Sequence, residues 1–135
     1  MARLRAWSEA DPNQSDRVYA ALAEAGQAVA ENRPDAALPQ FADAMDRAAR
    51  RGIPEELVAV GQPYVDQLLA AGRVEEAVSV NGRIAPWADR DLRAAWSEAQ
   101  VYQALGKTTV AAAAHERALR LAGERPLPDG LAALP

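Results

Sequence analysis

A glycine-led stretch occurs twice in this chain at one fixed distance. GRVEEAV at 72–78 and GKTTVAA at 106–112 align Gly72 with Gly106 and Ala77 with Ala111, 34 residues apart. Arg83 and Arg117 fall in the same frame, as do the large residues Leu68 and Tyr102. A period of this length is the mark of a supersecondary unit copied and stacked, because one such unit cannot bury its own apolar face and its neighbour completes the core. Six helices in three hairpins can also close into a bundle, but a bundle does not require a constant offset, so stacked copies explain the pattern better.

The apolar spacing supports helices throughout. Val18, Leu22, Ala25 and Val29 recur at three- and four-residue steps between Ser15 and Glu31, with Ser15 as an N-cap, before Asn32-Arg33-Pro34-Asp35 breaks the pattern. Ala37, Leu38, Phe41, Ala44, Met45 and Ala48 resume it up to Arg51-Gly52. Pro54 at a first helical position, followed by Glu55 and Glu56, opens a third helix to about Ala71. Pro63 inside it removes a backbone donor and predicts a kink or a restart. Val74 to Ala85 forms a fourth helix that Pro86 stops, Asp89 or Asp91 caps a fifth to Leu105, and Thr108 caps a sixth that Gly123 ends. The chain then divides into an N-terminal extension, 1–14, reading as the end of a preceding helix; a helical domain, 15–123; and an irregular proline-rich tail, 124–135, whose leucines are expected to lie across the last hairpin.

With 135 residues, half of them apolar and 5% aromatic, the core has to be built from small side chains that let backbones approach closely. A net charge of −4 and a pI near 5.0 argue against a general nucleic-acid binder, which needs a concentrated basic face. The absence of cysteine removes disulfides, thiolate metal sites and a cysteine nucleophile. No apolar run matches a secretory signal or a membrane helix, so a cytoplasmic setting is the default expectation.

These residues resemble the tetratricopeptide repeat family, whose unit is 34 residues of helix-turn-helix. Small residues at unit positions eight, twenty and twenty-seven and an aromatic at eleven are matched in a third repeat, about 92–125, by Ala99, Ala111, Ala118 and Tyr102. A second repeat, about 58–91, matches at Leu68, Gly72 and Ala77, with Val65 and Ile84 where small residues are usual. The first, about 18–51, offers Ala25, Ala37, Phe41 and Ala44, offset by six further residues. The usual closing proline is replaced by Asp89 and Gly123, and Pro63 is a further departure.

The resemblance implies an all-α, right-handed superhelical stack of about three antiparallel hairpins. It also implies a concave groove lined by unit positions two, five, nine and twelve. Those positions hold Arg93, Trp96, Gln100 and Gln103 in the third repeat, Ala59, Gln62, Asp66 and Leu69 in the second, and Tyr19, Leu22, Gly26 and Val29 in the first. The lysine and asparagine set that clamps a C-terminal carboxylate in chaperone-binding members is missing. The expected activity is that of a non-catalytic scaffold binding a peptide, a helix or a second copy of the chain, within a larger regulatory or assembly protein, with no cofactor, metal, nucleic acid or membrane.

Catalysis is the weaker reading. His115 is the single histidine, and a small hydrolase would need it to converge with a carboxylate and a nucleophile. Glu55-Glu56 and Glu75-Glu76 point about 100° apart within each pair and stand where the helix dipole favours anions, so capping explains them better than cation binding. Arg47, Arg50 and Arg51 similarly suit a helix C-terminus. An RNA-binding helical repeat of similar unit length is the third reading, disfavoured by the acidic balance.

Overall fold

The structure, a computed structural model, describes residues 13–123, with side chains from Ser15 onward. The expectations for 1–12 and for the tail after Gly123 lie outside the described residues. Six α-helices follow in order: α1 Asn13–Ala30, α2 Pro34–Arg51, α3 Pro54–Ala70, α4 Val74–Ile84, α5 Leu92–Ala104 and α6 Thr108–Ala122. A 3-10 turn, Ala85–Trp87, separates α4 from α5, and no strand occurs among the described residues. The protein is therefore all-α, and none of its described helices is long and apolar enough to cross a membrane.

The turns between paired helices share one geometry. Asn32, Gly72 and Gly106 adopt φ of 56°, 75° and 77°. At each, two backbone bonds close the preceding helix. Gly72 N–H donates to Leu69 O (3.0 Å) and Arg73 N–H to Leu68 O (2.8 Å); Gly106 N–H donates to Gln103 O (3.1 Å) and Lys107 N–H to Tyr102 O (2.9 Å). Asn32 and Arg33 repeat the pattern on Val29 O (2.9 Å) and Ala28 O (2.8 Å). This is the Schellman arrangement, which needs a left-handed residue and so selects glycine or asparagine. The glycine-led repeat is the sequence trace of this turn, and Asn32 is its third copy.

Compactness divides the chain into two units, one up to Val60 and one from Gly61 onward. In the first, α1 packs on α2 through Val18, Ala21, Ala25 and Ala28 against Ala37, Phe41, Ala44, Met45 and Ala48, all buried. A buried ion pair closes this unit. Glu56, 2% exposed, receives Arg51 Nε at 2.7 Å on Oε1 and Ser15 Oγ at 2.6 Å on Oε2. Burial pushes its carboxyl up, but the hydrogen bonds from Arg51 and Ser15, with the arginine's charge, outweigh it and hold the group below its ordinary value.

In the second unit α5 and α6 pair through Ala95, Trp96 and Ala99 against Ala111, Ala114 and Ala118, and α4 packs beside α5. Ala77 and Ala111 are both buried, as the spacing predicts for small residues at a helix crossing. Gly61 explains the enlarged Ile84. A Cβ at Gly61 would lie 2.9 Å from Ile84 Cγ2, so glycine supplies the room that alanine at position 84 would have left. Ser97 Oγ donates to Asn81 Oδ1 at 2.8 Å, satisfying two buried polar side chains between α5 and α4.

Three local expectations are corrected, and at Pro63 the alternative of a restarted helix is excluded. Ser15 lies inside α1 rather than at its cap, and its hydroxyl goes to Glu56. α3 continues through Pro63 without a restart. Thr108 is the first residue of α6, with Lys107 in the cap position, because the Schellman turn has already fixed the backbone there. α4 ends at Ile84, one residue early, and the chain tightens into the 3-10 turn at Ala85. Asp91 is the cap of α5, accepting from Arg93 N–H at 2.8 Å.

Candidate functional site

The second half of α3 and the middle of α5 bring three predicted residues into one chain of hydrogen bonds. Gln100 Nε2 donates to Asp66 Oδ1 at 2.8 Å, and Gln62 Nε2 donates to Gln100 Oε1 at 3.3 Å. Asp66 and Gln100 are 34 residues apart, the same offset that separates the two glycine-led stretches. Asp66 is exposed, whereas Gln62 and Gln100 are half-buried. One turn further along each helix stand Leu69 and Gln103, both half-buried. The result is a polar strip with an apolar border, reaching solvent at Asp66.

Arg93 lies at the N-terminal end of α5, where its guanidinium reaches Asp91 with Nη2 to Oδ2 at 3.1 Å. Partial burial raises the Asp91 carboxyl, but side-chain and backbone hydrogen bonds from Arg93 and its charge prevail and keep it below its ordinary range. Arg93 thus helps to close the N-terminus of its own helix. In the first unit, Tyr19 is 41% exposed on α1, with Val29 and Gly26 also exposed and Leu22 half-buried, so this helix presents an apolar edge. Ala59 is half-buried on α3.

Trp96 departs from the groove expectation. It is 5% exposed and packs against Ala99, Ala114 and Leu92, with the His115 ring 6.3 Å away and tilted by 49°. The physical reason is volume: alanines on both helices leave a gap that a large ring fills. The indole therefore belongs to the hairpin core, and the solvent-facing strip is carried by Gln62, Asp66 and Gln100.

His115 is half-buried, and its Nε2 is buried without a hydrogen-bond partner. Beside it, Thr109, Ala112, Ala113, Glu116 and Leu119 line an open depression of about 430 Å³ on α6. Among the described residues, neither Thr109 nor Glu116 hydrogen-bonds the imidazole. Among the described residues no group of three or more His, Asp or Glu side chains is placed to hold a metal ion. Arg51, expected in a basic cluster, is engaged by Glu56, and Arg47 by Asp43 at 3.0 Å. Arg117 bonds Glu98 at 2.9 Å and approaches Asp89 at 3.8 Å.

The buried Arg51–Glu56–Ser15 group was not read from the sequence, where Glu56 looks like a dipole cap. Its signal is the opposite charge five residues apart across the glycine turn of RRGIPEE. No protein-family model matches the chain, and no curated protein or solved structure is significantly similar to it.

Proposed function

We propose that the chain is a non-catalytic, tetratricopeptide-like helical-repeat module that binds a partner protein. The proposed surface on the second unit is the strip of Gln62, Asp66, Leu69, Gln100 and Gln103. The observation that carries this reading is the bond from Gln100 to Asp66 across one repeat length. On this reading, successive repeats set the same helix positions side by side, and their side chains face an extended ligand. Such a surface suits a peptide, a helix or a second copy of the chain, each of which repeats its own contacts along its length. Tyr19 and Leu22, with Val29, are assigned a partner contact of their own on the first unit.

The test compares wild type with a Gln62→Ala/Gln100→Ala double variant in affinity capture, with far-UV circular dichroism as the folding control. The expected result is loss of a captured partner at unchanged helicity. An identical set of captured proteins overturns the assignment of the strip.

A further inference from the structure

The hydrogen-bond logic of the same strip fixes the chemistry of its occupant, on the reading that the strip is an interaction surface. A carboxylate only accepts, so Asp66 forces Gln100 to present its N–H₂ group at 2.8 Å. The carbonyl of Gln100 is then turned to Gln62, which has to give an N–H₂ donor at 3.3 Å. The polarity runs one way along the chain of amides, and its open ends are alike: the second oxygen of Asp66 and the carbonyl oxygen of Gln62. Both accept. They stand four residues apart on α3, where side chains are neighbours on one helix face.

No described cation lies within ion-pair distance of Asp66, although Arg47, Arg51, Arg73, Arg93 and Arg117 all have carboxylate partners. The strip thus offers an unneutralised charge and a second acceptor, bordered by the apolar Leu69 three residues on. We infer that it receives an arginine side chain from the partner. A guanidinium carries five donors in a planar fork and serves two acceptors at once, while its methylene stem lies along apolar surface such as Leu69. Exclusion of anionic segments follows from the same charge.

The experiment is an NMR titration of the ¹⁵N-labelled chain with N-acetyl-arginine-methylamide, following the side-chain amide signals of Gln62 and Gln100. The citrulline analogue, nearly the same shape without the charge, serves as the comparison. Expected are saturable shifts of both amides with the arginine probe, with binding about fivefold weaker for citrulline. Asp66→Asn should abolish the preference, and Asp66→Glu should retain it. Unmoved amides, equal response to citrulline, or a preference that survives Asp66→Asn would each overturn the inference. If capture of a partner still depends on Gln62 and Gln100 while the arginine probe has no effect, only the arginine assignment falls. If capture is independent of them as well, the surface reading falls with it.

Discussion

Glu56 shows how much one side chain in this protein depends on its partners. Its folded carboxyl is held below the ordinary value, so its contribution to stability is fully present above the unfolded value near 4.5 and is lost as pH falls through the depressed folded value. Glu56→Gln removes the charge that Arg51 and Ser15 address and is expected to cost about 2 kcal/mol at neutral pH. Urea unfolding followed from pH 7 downward should show the gap between variant and wild type narrowing in acid. A constant gap would contradict the ion pair. Gly61 gives a second residue-scale prediction. Alanine in a helix interior is normally better than glycine by about 1 kcal/mol, but here its Cβ meets Ile84. Gly61→Ala should therefore destabilise the wild type by about 1–3 kcal/mol and stabilise an Ile84→Ala background. The change of sign, read in a double-mutant cycle of melting, is the test.

At the scale of elements, the α5–α6 hairpin is an alanine-on-alanine crossing completed by one large ring. Trp96→Ala leaves a cavity that Ala99 and Ala114 cannot fill, and is expected to cost about 3–5 kcal/mol. A fluorescence or thermal melt that hardly changes would return Trp96 to the surface. The same element shows what periodicity conveys and what it does not. Ala99, Ala111 and Ala118 were legible as small residues at a crossing, and all three are buried. Trp96, expected to face a partner, is buried instead, because the alanines around it leave space that its ring fills. At Pro63 the local rule allows a kink or a restart, and α3 excludes the restart, since one missing backbone donor is tolerated when the rest of the helix is packed.

For the whole molecule, the charge balance has a consequence of its own. The net charge is −4, and Arg47, Arg51, Arg73, Arg93 and Arg117 are engaged by carboxylates, which disfavours phosphate binding on the described residues. Filter binding with single-stranded RNA at physiological salt should detect no saturable complex. Salt-sensitive binding would favour the RNA-repeat reading instead. What the sequence by itself determined was the all-helical class, the glycine-led turns at Gly72 and Gly106 and the small residues at the crossings, because each depends on interactions within a few residues or on a spacing fixed by helix geometry. Tertiary structure alone decided which side chains meet across elements: Glu56 with Arg51 and Ser15, Ile84 against Gly61, Trp96 in the hairpin core, and Asp66 with Gln100 at the surface. Those pairings depend on distances between separate helices, and no local preference in the chain encodes them.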